Sequence, residues 1–343
     1  MNKQVVVGVV GAGRIGKLHI NNMKNLSGVR IKAVSDVFAD HLQDWFNTSG
    51  VEYLTKDYQE IIQDPEIDAI FICSPTDTHV EIIKEAAKKG KHIFCEKPIS
   101  FSQEETLEAY EAVKEAGVKF QIGFNRRFDR NFSKVRAAVE EKGIGDLHVL
   151  KITSRDPEPP ALDYVERSGG IFMDMTIHDF DMARFISGSE VIEVFATGAA
   201  LVNPAIANYN DIDTAIINLK FANGSIGVID NSRQAVYGYD QRLEAFGSEG
   251  SAIVNNETES TVSISSRNGI QEDKPLHFFL ERYNDAFVKE IKGFFDAITH
   301  DTEVPCQFQD GIMAQRIAVA AKESLQTGVP VSVETTIKLE LLN

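Results

Sequence analysis

Apolar residues in the first third of the chain fall in short, nearly unbroken runs rather than in alternation. Val5–Val10, Val29–Ser35 and residues 69–73, 91–95 and 118–122 are such runs. A strand that is apolar on both sides is buried on both faces, as in a parallel sheet. Helical patterns separate the runs, at 80–89 (VEIIKEAAKK) before Gly90 and at 102–116 before Gly117. Ser102 and Glu105 have capping-box spacing, and Gly117 stands where a helix usually ends in a left-handed residue. Strands alternating with helices of this length predict right-handed βαβ crossovers and a doubly wound sheet.

Beyond residue 123 the pattern changes. Helical periodicity covers 132–142 and 172–186, followed by half-alternating segments at 213–221 (DTAIINLKF), 225–230, 242–246 and 252–255. Asn223-Gly224 and Asn268-Gly269 read as type I′ hairpin turns, whose two central residues need positive φ. Two more helical patterns occupy 283–299 and 310–326. The expected fold class is therefore α/β. A doubly wound parallel domain over 1–123 precedes an α+β domain over 124–343 with a large open, mainly antiparallel sheet. The length of 343 residues suits two domains.

Composition narrows the function. The formal net charge is −16, from 51 acidic and 35 basic side chains, which repels phosphate backbones and anionic lipid and argues against nucleic-acid or membrane-surface partners. No apolar run approaches the ~18 residues of a membrane span. The three cysteines, Cys73, Cys95 and Cys306, lack CxxC spacing, so neither a disulfide framework nor a zinc site is expected, and a reducing, cytoplasmic setting fits.

Gly11-Ala12-Gly13-Arg14-Ile15-Gly16 follows the first strand and opens a helix. The first glycine permits a tight turn, the second lets backbone approach a pyrophosphate, and the third lets helix pack on strand. Asp36 ends the second strand, with Val37 after it. A carboxylate there accepts hydrogen bonds from a ribose 2′-hydroxyl and repels a 2′-phosphate, favouring NAD over NADP; the same carboxylate also suits a cap for the following turn. Ser74, Thr76 and His79 follow a later strand, and Glu96 and Lys97 end another, so all five are placed at the cofactor edge of the sheet. An ammonium at Lys97 would hydrogen-bond a substrate hydroxyl and stabilise the developing oxyanion. Asp174, His178 and Asp181 are spaced four and three apart, which on one continuous helix puts them on one face. A carboxylate beside an imidazole suits a general base near neutral pH. No third metal-type ligand accompanies them, so no metal is expected.

These residues, in order GAGRIG, Asp36, Glu96-Lys97-Pro98 and Asp174-x-x-x-His178, resemble the Gfo/Idh/MocA family of oxidoreductases. Gly123-Phe-Asn-Arg-Arg-Phe128 and Ser168-Gly-Gly-Ile-Phe resemble its inositol dehydrogenase branch. The resemblance implies an NAD(P)-dependent enzyme of inositol catabolism that oxidises a cyclic polyol, myo-inositol to its 2-keto compound first, scyllo-inositol or another ring as alternatives. It implies Lys97, Asp174 and His178 as catalytic triad, with Arg127, Asp156, Asp181 and Tyr237 around the substrate. It also implies a homotetramer built through the C-terminal sheet. A dinucleotide-binding regulator without catalysis is the alternative of another class.

Overall fold

A computed structural model describes residues 4–337. They fall into two compact units, each treated by itself. The first holds residues 4–125 and a returning segment, Asp285–Ile312; the second holds Arg126–Asn284 and Met313–Ile337. A contiguous division at 123/124 does not contain that return.

In the first unit, β1 (Val5–Val10), α1 (Arg14–Met23), β2 (Val29–Ser35), α2 (Gln43–Ser49), β3 (Tyr53–Thr55) and α3 (Tyr58–Gln63) lead to β4 (Ala69–Ile72). Then come α4 (His79–Lys88), β5 (His92–Glu96), α5 (Gln103–Ala116) and β6 (Phe120–Gly123). The six strands are all parallel in the order β3-β2-β1-β4-β5-β6. The strand order reverses at β1/β4, and ligands of such sheets bind at the carboxyl ends of the strands beside that point. Val7, Val9, Phe71 and Phe94 form the core with Ile291 and Phe294 of the returning segment. Phe71 and Phe94 stack at 4.6 Å, a pairing that contributes about 0.5–1.5 kcal/mol beyond burial. The capping box before α5 closes through a relay. The Ser102 hydroxyl oxygen accepts from Glu105 N at 3.3 Å, Ser102 N donates to Ser100 Oγ, and the Ser100 hydroxyl donates to the Glu105 carboxylate at 2.6 Å.

The second unit contains α6 (Arg130–Glu140), β7 (Leu147–Arg155), α7 (Leu162–Arg167), α8 (Ile171–Asp174), α9 (Ile177–Ser187) and β8 (Val191–Ala199). After these run β9 (Thr214–Phe221), β10 (Ile226–Ser232), β11 (Asp240–Gly247), β12 (Ser251–Val254), β13 (Ser263–Ser266) and β14 (Gly269–Glu272). α10 (Phe279–Arg282) precedes α11 (Asn284–His300), which from Asp285 on lies in the first unit's returning segment. α12 (Phe308–Thr327), which begins in that segment, and β15 (Val331–Ser332) follow. Seven strands make one sheet in the order β12-β11-β7-β10-β9-β8-β15, antiparallel except for β7 with β10. Its inner face carries buried residues such as Leu150, Ile152, Ile217 and Leu219, while Ile216, Asn218 and Lys220 alternate outward. The type I′ expectation fails. Neither Asn223 nor Asn268 has positive φ, and the left-handed step is taken by Gly224 (φ 88°). Gly224 N bonds Phe221 O, and Phe221 N bonds Ser225 O, the pattern of a three-residue loop closed by a glycine bulge. Among the described residues no helix is long and apolar enough to cross a membrane.

Candidate active site

The glycine loop leaves β1 at the switch point. A Cβ on Gly11 (φ 93°) would lie 2.6 Å from the backbone of Cys73 and Ser74, and one on Gly16 would lie 2.0 Å from the Gly11 carbonyl oxygen. A Cβ on Gly13 would meet nothing within 4 Å. Two glycines are thus fixed by close packing and the middle one faces open space. No side chain caps the start of α1, and its first turn has no acidic residue, so the N–H groups of that turn suit an anion. Asp36 accepts from Ala12 N at 2.8 Å with one oxygen and from Phe38 N at 2.9 Å with the other. It therefore braces the loop and caps the turn, and each carboxylate oxygen keeps a second lone pair for a hydroxyl. Val37 and Phe38 beside it are 74% and 67% exposed, an apolar ledge at the strand end. These features fit a dinucleotide with an unphosphorylated ribose.

Past β4, the Ser74 and Thr78 hydroxyls bond each other at 2.6 Å, and Thr76 starts a single helical turn. His79 differs from expectation. Its ring is buried, with Nδ1 2.9 Å from Pro98 O and Nε2 2.9 Å from Ser74 O, so it is internal rather than presented to a cofactor. Burial holds its pKa below the ordinary value, against the two carbonyls. Glu96 also turns inward, 2.6 Å from Nε2 of the buried His19. Lys97, next along, is half-buried at the end of β5.

In the second unit the expected single helix over 172–186 is broken. Met175 N and Thr176 N both bond Ile171 O, and the regular helix restarts at Ile177. Asp174 ends α8 and His178 begins α9, so the shared-face argument does not describe them. Tertiary bonds hold the break. The Thr176 hydroxyl donates to Asn231 Oδ1 at 2.6 Å, and Asn231 Nδ2 donates to Asp179 at 2.9 Å. Arg126 Nη1 reaches the other Asp179 oxygen at 2.6 Å. Two residues on along the chain from Asn231, Arg233 Nη1 donates to Asp174 Oδ2 at 2.8 Å, while the Tyr164 hydroxyl donates to Asp174 Oδ1 at 2.8 Å. Between Ile171 and Ala183, only Asp174 and His178 are not buried.

Asp156, just past β7, is pushed up to about 6 by burial, with Asp174 and Asp179 adding to the shift and Arg233 and Arg126 opposing it. Burial likewise raises Asp179 against its Arg126 partner. The other expected substrate residues are placed differently. Arg127 and Asp181 form a two-pronged pair (2.8 and 2.6 Å) with Asp181 buried, and the guanidinium lies over Phe185. Tyr237 donates to Asp240 at 2.7 Å and accepts from Arg155 at 3.1 Å. Arg155 alternates to the side of the sheet opposite buried Ser154, so the structure does not bring Tyr237 to Asp174. Sequence reading missed Arg126, Tyr164, Asp179, Asn231, Arg233 and His19. Arg126 stood beside Arg127 in the Asn-Arg-Arg-Phe motif, and Asn231 and Arg233 lie two apart at a strand end. Among the described residues no group of three or more His, Cys, Asp or Glu side chains is arranged to hold a metal.

Residues 5–124 match the model of an oxidoreductase family with an NAD-binding Rossmann fold, and residues 132–253 match the GFO/IDH/MocA C-terminal domain. The chain is 48% identical over 331 residues to a myo-inositol 2-dehydrogenase of Thermotoga maritima, covering 96% of this chain and 99% of that one. This chain belongs to the GFO/IDH/MocA oxidoreductase family. It is also 57% identical over 339 residues, 99% of each chain, to an uncharacterized oxidoreductase of Bacillus subtilis. A crystal structure of scyllo-inositol dehydrogenase from Lactobacillus casei with bound NAD(H) and scyllo-inositol superposes with a TM-score of 0.89 at 29% identity, covering 96% of this chain and 99% of that one. The family member described here is an oxidoreductase with an NAD-binding Rossmann unit.

Proposed function

We propose that this oxidoreductase is an inositol 2-dehydrogenase that oxidises myo-inositol to the 2-keto compound with NAD. The observation that carries the reading is the pair Asp174 and His178, the only openings in an otherwise buried stretch, with Asp174 gripped by Arg233 and Tyr164. Similarity favours the myo over the scyllo isomer, at 48% against 34% identity, each over 96% or more of this chain.

Gly11, Gly13, Arg14, Ile15 and Gly16 would hold the pyrophosphate of NAD, Asp36 and Val37 the adenosine ribose side, and Ser74 and Thr76 the inner edge. When bound, NAD supplies the hydride acceptor. His178 takes the proton of the hydroxyl being oxidised onto its imidazole, and Asp174, held in place by the Arg233 guanidinium and the Tyr164 hydroxyl, supports the charged ring. Lys97 donates a hydrogen bond to the same oxygen as its proton leaves and limits charge build-up there. Asp156 accepts from a neighbouring ring hydroxyl and so helps select the isomer, since a missing buried hydrogen bond is costly. The Arg127–Asp181 pair supports α9 from within.

We also read the outward face of the seven-stranded sheet as the seat of further copies of this chain, in a homotetramer. Ile192, Ile216, Ile226, Phe246 and Ile253 are 40–59% exposed on its strands, more apolar surface than a solvated sheet face usually shows. Cys73, Cys95 and Cys306 form no disulfide, which suits a reducing, cytoplasmic setting.

The test is initial NADH or NADPH formation with myo-, scyllo- and chiro-inositol and glucose. Myo-inositol with NAD is expected to give the highest kcat/KM. A preference for NADP removes the role given to Asp36, and silence on every polyol removes the function.

A further inference from the structure

Lys97 has a neighbour on either side that is gripped by a buried histidine. Before it, the Glu96 carboxylate lies 2.6 Å from Nε2 of His19, whose ring is 0% exposed. After it, the Pro98 carbonyl lies 2.9 Å from Nδ1 of His79, whose ring is 1% exposed. Rings so enclosed do not touch a ligand. They reach the reaction through what they hold.

We propose that His19 and His79 are positioning residues that together fix Lys97 at the end of β5. This rests on the reading of Lys97 as catalytic. The His19 ring is set edge-on against Phe94 at 5.1 Å and against Phe71 and Phe287 at 5.8 Å, and Phe94 belongs to the strand that ends in Glu96. Its one rigid position aims an N–H at a carboxylate, a charge-assisted bond of the stronger kind. The Glu96 carboxylate uses the room that Gly123 leaves, since a Cβ there would lie 3.0 Å from its other oxygen. His19 is on α1, the helix that the glycine loop opens, so one bond ties the dinucleotide loop to the strand end bearing the lysine. His79 sits between Ser74 O and Pro98 O; a neutral ring carries one N–H, and with it on Nδ1 the ring donates to Pro98 O and fixes the same place from the start of α4. The two histidines come from different helices and converge on residues 96 and 98.

A double-mutant cycle tests this, with His19→Phe and His79→Phe each made alone and in a Lys97→Ala background. Phenylalanine keeps the aromatic volume and removes the N–H. Steady-state kcat, KM for myo-inositol, NADH affinity by fluorescence and thermal midpoint are measured for each. With Lys97 present, each substitution is expected to lower kcat by roughly 10²-fold, the cost of a misplaced reacting group, while KM and NADH affinity hold. His19→Gln, whose amide can still donate to Glu96, is expected to recover most of the loss. Without Lys97, the same substitutions are expected to cost no more than about twofold, the usual scatter of such cycles. Equal losses with and without Lys97, or no loss of kcat, overturn the proposal. Full turnover in Lys97→Ala alone instead overturns the catalytic reading of Lys97. If His19→Phe fails to fold, His79→Phe carries the cycle; if both fail, His79→Gln, which replaces the ring N–H with an amide donor of different reach, is expected to show an intermediate loss that vanishes without Lys97.

Discussion

Asp156 shows how burying one carboxylate costs stability at neutral pH. Its pKa rises from an ordinary 3.8 to about 6, chiefly through burial. A group whose folded pKa lies above its unfolded one binds more protons when folded, so its stabilising contribution is complete below about pH 4 and lost as pH rises through about 6. Asp156→Asn is therefore predicted to have a higher Tm than the parent near pH 8, with the gap closing near pH 4. Scanning calorimetry at the two pH values checks it, and a gap that is constant or widens on acidification contradicts it. The residues of the proposed site could be picked from the sequence: Lys97 at a strand end, Asp174 four before His178, and Asp36 after the second strand. Their partners could not. Which arginine takes Asp179, and that Asp181 is used up by Arg127, depends on contacts more than fifty residues apart in the chain.

At the level of elements, periodicity located β1, β2, β4, β5, β6, α4 and α5 of the first unit to within about two residues, because uniform apolar runs and capped helices are local signals, whereas the shorter α2, β3 and α3 were not read from it. It failed where tertiary bonds override local preference. The stretch 172–186 has a helical pattern, yet the Thr176 hydroxyl bonds Asn231 and the helix breaks between Asp174 and His178. Of β7 only its end before Asp156 was read, because Lys151 and Arg155 stand on its outward face, and β8, which ends in Thr-Gly-Ala, was not read at all. With β7 went the one parallel pairing of that sheet, with β10. That pairing matters to the site, since Asn231 and Arg233 are delivered at the end of β10 and Asp156 at the end of β7. The asparagine hairpins failed in a smaller way: Asn223 uses its side chain to accept from Ser225 N instead of adopting positive φ.

For the whole molecule, the net charge of −16 counts against assembly unless a face offers compensating contacts. The outward sheet face does so, with Lys151–Glu244, Lys220–Glu193 and Arg155–Asp230 pairs set among its exposed isoleucines. Light scattering is predicted to give a tetramer, and Ile216→Glu, which puts a charge in mid-face, to reduce it to smaller species. A parent protein that is monomeric at micromolar concentration contradicts the role given to that face. The central claim is hydride removal from an inositol ring carbon to NAD. Its most direct test is turnover of myo-inositol deuterated at C2, with the reduced dinucleotide examined by NMR. Deuterium at C4 of the nicotinamide, with the 2-keto compound as product, is the predicted result; reduced dinucleotide without deuterium, or none formed, contradicts it.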